Sequence, residues 1–474
     1  MKLPCVYLLS SFALAALTGR ATPDNTAPSP ITQTNYIAGN PIELNDNGAW
    51  SWFMDPRVII DRDQLLVGSD RAVGRYTNSA APDWGNVELS ILDLKSLKHQ
   101  NVVLHRHLEQ DDHDAPGLMV LQDGRYFAGY SKHGQETKMY YRISTRPGDA
   151  TEWEPEATFV TPGKAASFTR DVFTYCNPMR LSTENNRMYL FHRSHNLNPN
   201  YLVSEDDGRT FRYGGKLFDG LHGYSAYVKY ACNGRDTIHF VATEDHPRNY
   251  PNSLYYAFIR GGNIYRADNS LVAPLAASTN TTVHPWDFTR IYQGGSNHVA
   301  WMSDIRLDAQ GRPAVLFTVK VNSAGTTRGH GGEDIRFHYA RFDGQQWHEK
   351  EIGYAGLRLY AGEDDYTGLG AIDPQNVNVI YVSTDATITG EPLISRADGQ
   401  RHHELYKGVT SDGGATFKWS QVTANSTVDN LRPLVPIWKD KRTALVWLRG
   451  GYYNNHGEWT TKVMADLLSP GDVR

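Results

Sequence analysis

A strand–turn–strand pattern that recurs seven times constrains the fold of this chain more than any other feature of its sequence. Each copy is an apolar or alternating run, a tight polar turn rich in Asp, Asn or Gly, and a second apolar run, as in "PGLMVLQDGRYFAGYSK". Such a pattern predicts a β-hairpin. The copies begin near residues 51, 116, 176, 224, 299, 366 and 431.

The spacing of these hairpins predicts a β-propeller. Intervals of about 45 to 75 residues leave room for two outer strands in each unit, and "VELSILDLKS" and "IRFHYARFDGQQWHEKEI" are two examples of such strands. A right-handed β-helix would have much shorter coils, and a pair of β-sandwiches would not give seven matched units. We therefore predict an all-β chain, a seven-bladed β-propeller with four-stranded antiparallel blades.

Two outer hairpins share a short motif. "SEDDGRTF" (204–211) and "TSDGGATF" (410–417) both fit Ser/Thr-x-Asp-x-Gly-x-Thr-Phe. The motif resembles the Asp box of bacterial neuraminidase repeats, which lies between the third and fourth strands of a blade. Asp206 and Asp412 can accept backbone N–H bonds within the turn. The boxes lie on the propeller rim, so they predict the fold and not the chemistry.

The N-terminal end differs from the rest of the chain. A basic residue, a short apolar stretch and then small residues predict a signal peptide over residues 1–22. The stretch is too short to favour the alternative of a permanent membrane anchor, so we expect a secreted or periplasmic protein. Residues 23–40 are rich in Pro, Ser, Thr and Asn and are expected to form a flexible lead-in. Residues 41–474 are expected to form a single catalytic propeller domain.

The charge balance limits the partners of the protein. Lys and Arg number 47 and Asp and Glu number 52, a balance too mild for a general nucleic-acid or membrane-surface binder. Any bound anion must therefore be met by locally placed cations. The 27 Tyr and 11 Trp residues favour strands and carbohydrate-stacking surfaces. Outside the signal peptide the chain has only Cys176 and Cys232, which the propeller would place at opposite ends of strands, so we expect two free thiols.

The propeller topology predicts a candidate site at one mouth of the central channel. Residues just before the first strand and just after the second strand of each inner hairpin converge there. Three adjacent blades then contribute these side chains: His113 and His133 from blade 2, Tyr175 and Arg193 from blade 3, and Tyr227 and His246 from blade 4. Each one alone is more simply a solvated loop residue or a packing residue. Their coincidence on neighbouring blades is what predicts a site.

These side chains suit β-elimination from a uronic acid better than hydrolysis. Ordinary glycosidases need two suitably spaced acids, and such a pair is not evident, although residues 111–114 and 363–366 are acid-rich. A sialidase would use an arginine cluster and a tyrosine nucleophile, but its usual Arg-Ile-Pro signature is missing from the sequence. β-Elimination needs a cation such as Arg193 to stabilise enolate-like charge. It also needs a His or Tyr to remove the C5 proton and another to protonate the leaving O4 oxygen.

The chain resembles the ulvan lyases of the neuraminidase-repeat propeller type from about residue 36 onward. The resemblance is carried by the two histidines that flank blade 2 and by "TYCNP", "FHRS" and "SAYVKY". It implies an endo-acting lyase that cleaves sulfated ulvan beside glucuronate or iduronate and leaves an unsaturated uronyl end. It also implies the following roles: His113 and Tyr175 as base and acid in an order left open, His133 and Arg193 as neutralisers of the uronate carboxylate, and Tyr227 as a residue of the sugar subsite. His246 is expected to bind substrate as well, because the topology places it at the same mouth.

The resemblance also bears on cofactors, partners and alternatives. It implies no cofactor for the chemistry and a structural divalent metal, Zn or Ca, with unknown ligands. Cys232 and His239 are not expected to share a zinc ion, because a tight Asn233-Gly234 turn would set them ~13 Å apart. The expected partner is an anionic sulfated polysaccharide, with no nucleic acid, no membrane after signal cleavage, and a monomeric state. The alternatives are a sialidase-like exo-glycosidase and a non-catalytic carbohydrate-binding propeller.

Overall fold

The computed structural model describes residues 28, 30–74, 78–161, 172–221, 225–275 and 278–473. The predicted signal peptide lies outside these residues. Seven antiparallel sheets of four or more strands form a ring, so the predicted seven-bladed β-propeller is confirmed. Among the described residues, no helix is long and apolar enough to cross a membrane.

The first three blades follow one another along the chain, each running from the channel outward. Blade 1 consists of the strands Val58–Asp61, Gln64–Asp70, Val87–Asp93 and His99–His105. Blade 2 consists of Gly117–Val120, Tyr126–Tyr130, Lys138–Arg146 and Asp149–Trp153, with Ala157–Val160 also paired to its third strand. Blade 3 consists of Thr174–Leu181, Arg187–Ser194, Asn198–Ser204 and Arg212–Lys216.

The other four blades complete the ring. Blade 4 consists of Val228–Cys232, Thr237–Ala242, Leu254–Arg260, Asn263–Tyr265 and Leu271–Pro274, with Thr289–Tyr292 also paired to its third strand. Blade 5 consists of His298–Leu307, Pro313–Val321, Ile335–Phe342 and Trp347–Gly356. Blade 6 consists of Gly370–Ile372, Val379–Thr384, Glu404–Val409 and Lys418–Gln421. Blade 7 consists of Asp429–Leu434, Thr443–Gly450, Lys462–Leu468 and the N-terminal strand Ile42–Asn45. The structure also describes 3₁₀ turns at Asp112–Asp114, Ser182–Glu184 and Pro285–Asp287.

The ring closes by pairing the N-terminal strand Ile42–Asn45 with Lys462–Leu468, so the two ends of the propeller share one blade. A second short ladder joins Tyr36–Ile37 to Thr423–Ala424. Backbone hydrogen bonds hold residues 35–38, which belong to the predicted lead-in, against the rim of blade 6.

Aromatic side chains fill the centre of the ring. Trp52 lies 4.8 Å from Trp301 and 5.6 Å from Tyr366 between ring centroids, and Phe53 lies 4.8 Å from Tyr227. Because residues 52 and 53 turn into this centre, blade 1 begins at residue 58 rather than near residue 51. The channel is thus plugged, and the predicted site residues lie around a packed aromatic floor.

Both Asp boxes lie where the motif predicts, between the third and fourth strands of blades 3 and 6. In the first box, Asp206 accepts the backbone N–H of Thr210 at 2.9 Å and its hydroxyl at 2.6 Å. In the second, Asp412 accepts the same two bonds from Thr416 at 3.0 and 2.6 Å. The aspartates thereby close the turns and fix the direction in which the fourth strand leaves.

Both described cysteines are free thiols, as predicted. The predicted register beside Cys232 is wrong. Cys232 is paired with Ile238, and His239 faces Ala231. The turn is longer than a two-residue one, because the side-chain oxygen of Asn233 accepts the N–H groups of residues 235, 236 and 237. Since directly opposed residues share a face of the sheet and neighbours alternate, Cys232 and His239 lie on opposite faces and do not form a shared metal site.

Candidate functional site

The six predicted site residues lie around one mouth of the channel. His113 precedes the first strand of blade 2 and His133 follows the second. Tyr175 and Arg193 stand at the corresponding ends of blade 3, and Tyr227 and His246 flank the inner hairpin of blade 4 at the same end, in contact with one another.

The two histidines of blade 2 are stacked face to face. Their ring centroids are 3.7 Å apart and the planes are inclined by 6°. His113 lies in the 3₁₀ turn Asp112–Asp114, whose N-cap Asp111 accepts the backbone N–H of His113. The backbone N–H of His133 donates to Glu109. Both rings are therefore held by loops that are themselves fixed by carboxylates.

Asp111 joins three imidazoles. Its Oδ1 lies 2.6 Å from Nδ1 of His113 and its Oδ2 lies 2.9 Å from Nδ1 of His133. Nε2 of His456, in the loop after the second strand of blade 7, lies 3.2 Å from the same Oδ2. The ring of His456 stands nearly perpendicular to the two stacked rings, at centroid distances of 4.9 and 5.0 Å.

The neighbouring Asp112 is bound by a buried arginine. Arg432, in the first strand of blade 7, donates to Asp112, to the hydroxyls of Tyr360 and Tyr452, and to the carbonyl of Trp50. Tyr452 also donates to Asp112 at 3.0 Å. A cavity of about 410 Å³ opens beside Tyr360 and Tyr452. This network ties blade 7 to the loop that carries His113.

Tyr175 is held in an unusual conformation. Its φ is +69°, in the left-handed region that a β-strand residue rarely adopts, and the ladder between the first two strands of blade 3 is irregular there. The bulge turns the phenol towards the mouth. The ring lies 5.5 Å from the ring of His113, and the guanidinium carbon of Arg193 lies 4.8 Å from its centroid. The Tyr175 hydroxyl is buried and has no hydrogen-bond partner among the residues that the structure describes.

Arg193, Tyr227 and His246 continue the mouth across blades 3 and 4. Arg193 donates to the hydroxyl of Tyr227 at 3.0 Å. The ring of Tyr227 lies 5.4 Å from that of His246. His246 in turn contacts Arg248, whose guanidinium nitrogen lies 2.7 Å from its Nε2, and Arg248 is paired with Glu363. The predicted residues thus form one continuous line of polar groups.

Burial and neighbouring charge set the protonation of these groups. Burial would raise the pKa of Asp111, but the three surrounding histidines hold it well below its usual value. Burial would likewise raise the pKa of Asp112, but Arg432 and His113 keep it low. Burial and the adjacent His113 lower the pKa of His133 to about 3. Burial opposes the charge of His456, yet Asp111 raises the pKa of His456 to about 9.

Burial raises the pKa of the Tyr175 phenol well above its ordinary value, although Arg193 opposes the shift. Burial also lowers the pKa of His246 well below its ordinary value, and Arg248 adds to that effect. In the free protein both Tyr175 and His246 are therefore neutral, and Arg193 supplies the positive charge next to them.

Two residues of this mouth were missed by sequence reasoning. His456 and Arg432 both belong to blade 7, whereas the predicted site residues all come from blades 2, 3 and 4. Arg432 is the fourth residue of the strand Asp429–Leu434, and it takes a left-handed φ of +52°. The other site residues were located because they lie close to the start of the first strand or to the end of the second strand of an inner hairpin. His456 lies six positions after the second strand of blade 7, Thr443–Gly450, and would have been included if the search had extended that far.

The cluster of Asp111, His113, His133 and His456 has the donor set of a metal site. One ligand atom from each residue lies within 4.8 Å of the other three. Three imidazole nitrogens and one carboxylate oxygen suit zinc or a similar transition metal, whereas calcium prefers six or more oxygens. Of the two ions that the resemblance implies, the donor types favour zinc, but the rings of His113 and His133 are stacked in parallel and do not both direct Nδ1 at a common point for an ion.

The comparison with protein families identifies the chain. A profile described as a BNR repeat-containing family member matches residues 76–355, more than half of the chain. The chain belongs to this BNR repeat-containing family. No curated protein matches the sequence.

Solved structures show the fold that this BNR family member shares with other propellers. It is similar to a polysaccharide lyase, an ulvan lyase, solved both with a bound -[GlcA(1-4)Rha3S]- saccharide and without ligand. In each case the TM-score is 0.62 and the sequence identity 14%, over 92% of this chain and 98% of the other. An α-L-arabinofuranosidase of Fusarium graminearum with arabinobiose matches at a TM-score of 0.41 and 11% identity, over 73% of this chain and 91% of that one, too distant a likeness to bear on function.

Proposed function

We propose that the protein is a secreted, endo-acting polysaccharide lyase that cleaves a sulfated, uronate-containing polysaccharide, ulvan, by β-elimination. The products would carry an unsaturated uronyl group at the non-reducing end. The proposal combines the propeller fold, the family, and the chemistry of the groups at one mouth. The structural similarity to an ulvan lyase supports it only as far as the fold.

The observation that carries the proposal is the state of Tyr175. A buried hydroxyl without a hydrogen-bond partner among the described residues is costly, by roughly 1–3 kcal/mol. The ring that carries this hydroxyl lies against a buried guanidinium and an imidazole, those of Arg193 and His113. A substrate that brings an oxygen to this point would satisfy the phenol, and a uronate carboxylate would meet the cation.

The groups then have distinct tasks in the elimination. Arg193 stabilises the negative charge that develops on the uronate carboxylate when C5 loses its proton. His133, a neutral imidazole in the free protein, supports that carboxylate through a hydrogen bond and not through charge. His113 and Tyr175 exchange the protons: one takes the C5 proton, the C4–O4 bond breaks as the C4=C5 double bond forms, and the other protonates O4. Tyr227 and His246 line the neighbouring part of the mouth and bind the sugar.

Two of the carboxyl groups next to His113, those of Asp111 and Asp112, are unsuited to donate a proton in hydrolysis. A glycosidase needs one protonated acid and one carboxylate. Asp111 contacts three imidazoles and Asp112 contacts Arg432, and both have lowered pKa values. Neither can serve as the proton donor near neutral pH. Burial raises the pKa of Asp114 well above its usual value and also raises that of Glu109, so a protonated carboxyl is present nearby. A sialidase-like hydrolase therefore stays the alternative that the product assay must separate from the lyase.

The test is the reaction itself, with a matched pair of tyrosine variants. The purified protein is incubated with ulvan, and the ultraviolet absorbance of unsaturated uronyl ends is followed together with the size of the products. We expect absorbance to rise while the polymer shortens. Tyr175→Phe is expected to lower turnover by roughly 10²–10⁴-fold. Its stability should change little, because the hydroxyl makes no hydrogen bond within the described chain.

Tyr381→Phe is the control, since Tyr381 also has a buried, unpartnered hydroxyl but lies in the second strand of blade 6. It should retain activity. New reducing ends without the absorbance would indicate hydrolysis. Binding of ulvan without any product would indicate a carbohydrate-binding propeller.

A further inference from the structure

We propose that the end of the channel opposite the candidate site binds a small aliphatic carboxylate, with its apolar chain in the cavity there and its carboxylate against Arg306 and Arg57. The cavity has a volume of about 430 Å³. It lies where the first strands of the blades end, away from His113 and Tyr175, and shares none of its lining residues with the candidate site. The proposal therefore does not depend on the proposed lyase reaction.

All seven blades contribute to this far cavity. Its lining includes residues at or just beyond the end of the first strand of each blade. One such residue from each blade, in order from blade 1 to blade 7, is Ile60, Val120, Met179, Ala231, Arg306, Pro374 and Leu434. The volume lies within the range of small-molecule sites, which combine a mostly apolar wall with a few polar groups.

The wall of the far cavity is aliphatic. Leu118, Val120 and Met179 line it, and Ile437, which also belongs to the lining, is 65% exposed. Tyr230 is the one aromatic residue among the described residues of the lining. A sugar would be expected to meet more aromatic surface, whereas an aliphatic chain would remove this apolar surface from water. The wall therefore favours an aliphatic ligand over a saccharide.

The groups beneath the wall carry one more positive than negative charge. They are Asp55, Arg57, Lys229, Asp304 and Arg306. Asp55 is bound by Lys229 and lies 3.4 Å from Arg57, and Asp304 lies 3.2 Å from Arg306. Burial lowers the pKa of Lys229 to about 8, although Asp55 opposes the shift, so Lys229 stays charged near neutral pH. An excess charge in a buried place is costly, and an anionic ligand would balance it.

Two of these cations line the far cavity itself, Arg57 and Arg306. Arg57 is buried, and its Nε has no hydrogen-bond partner among the residues that the structure describes. The side chain of Arg306 is 21% exposed, so a ligand can reach it. Asp373 also acts on Arg306, but it has Lys407 as a cation of its own. Guanidinium groups bind carboxylates through strong, directed hydrogen bonds, so the ligand's anionic group is assigned to these two arginines.

The test uses octanoate as the probe and calorimetry of the full-length protein without polysaccharide. Octanoate, 1-octanol and octylammonium share one chain and differ in charge. We expect octanoate to saturate at one equivalent and 1-octanol to bind roughly 10–100-fold more weakly, because it makes no charge-assisted hydrogen bonds. Octylammonium should bind more weakly still. The proposal is overturned if octanoate shows no saturable binding, or if either of the other two compounds binds as tightly.

Two variants locate the binding. Arg306→Gln removes the accessible cation and is expected to weaken octanoate binding roughly 10–100-fold. Ile437→Asp sets a negative charge at an exposed position of the lining, where folding is not at risk, and is expected to weaken binding roughly 5-fold or more.

Leu271→Asp is the matched control, since Leu271 is 57% exposed but lies on an outer strand of blade 4, outside the far cavity. It should bind octanoate as the unchanged protein does. Unfolding in urea checks that each variant is folded. Octanoate binding by either folded variant as tight as that of the control would overturn the proposal. Failure here would leave the proposed lyase function intact, because the assay contains no ulvan and changes no residue of the candidate site.

Discussion

Tyr175 combines two unfavourable features in one residue. A left-handed conformation at a non-glycine residue costs about 1–3 kcal/mol, and its buried hydroxyl lacks a hydrogen bond within the described chain. A propeller that needed only stability would be better served by glycine or phenylalanine at this position. Features of this kind concentrate at functional sites, which is why Tyr175 is the centre of the proposed reaction.

Arg193 provides the prediction at this scale. Arg193→Lys keeps the positive charge but loses the planar group that lies over Tyr175 and bonds Tyr227. Arginine and lysine are not equivalent at such stacked sites. We expect kcat on ulvan to fall by roughly 10²-fold, about what is lost when one preorganised donor to the developing charge is removed.

The matched control is Arg260→Lys, because the guanidinium of Arg260 also stacks on aromatic rings, those of Phe258 and Tyr265, but on the exposed end of a blade 4 strand. It should leave kcat unchanged. Equal losses in both variants would show that arginine stacking acts on stability and not on the reaction.

The sequence could assign a residue to the candidate site when that residue lies close to the end of an inner strand. It could not do so for a residue in a loop with further structure of its own. His113, His133 and Arg193 each lie within or a few positions from an inner strand, so the hairpin pattern locates them. His456 lies at the tip of a small loop closed by the bridge between Tyr452 and Trp459. The strand-end rule as applied stops short of His456, and the local pattern gives no reason to extend it because it does not show that this loop folds back towards Asp111.

At the scale of the strand and turn, the Asp boxes separate two effects of glycine. Gly413 and Gly414 both have a positive φ, +76° and +102°. A Cβ at Gly414 would overlap the ring of Tyr339 from blade 5, whereas a Cβ at Gly413 would meet nothing within 4 Å. Gly413 is needed for its backbone conformation alone. Gly414 is needed for its conformation and also for the close contact between blades 5 and 6.

We therefore predict that Gly414→Ala destabilises the protein more than Gly413→Ala does. Both variants bear the strain of a left-handed alanine. Only Gly414→Ala adds overpacking, which costs about 1–3 kcal/mol. The free energy of unfolding in urea measures the difference, and the adjacent variant serves as the control. Equal destabilisation would mean that blade 6 moves freely against blade 5 at this point.

Turn chemistry also explains where prediction of the elements succeeded and failed. The hairpins were visible because alternating strands and their turn residues recur in every blade. The strand register at Cys232 was not visible in the sequence, because the side chain of Asn233 accepts three successive N–H groups and lengthens the turn. A change of that size turns a side chain to the other face of the sheet.

At the scale of the whole molecule, stability depends on ring closure by the N-terminal strand. Leu44 is fully buried in the core, and its strand covers the edge of Lys462–Leu468. We expect a chain that begins at residue 47 to unfold at a markedly lower urea concentration than a chain that begins at residue 35, because it leaves an open edge and removes a buried leucine, itself worth about 2–5 kcal/mol.

The chain that begins at residue 35 is the control, since it keeps both the strand Ile42–Asn45 and the ladder of Tyr36–Ile37. It should unfold like the full-length protein. Unchanged unfolding of the shorter chain would show that three strands suffice to complete blade 7.

The buried contact between Arg432 and Asp112 links the last blade to the loop in front of blade 2. During translation Asp112 is synthesised long before Arg432. Until the seventh blade docks, the acidic turn beside His113 has neither its arginine nor its third imidazole. Asp112 and His113 therefore gain these partners only when the ring closes, and we expect a chain that stops short of its final blade to lack a complete mouth.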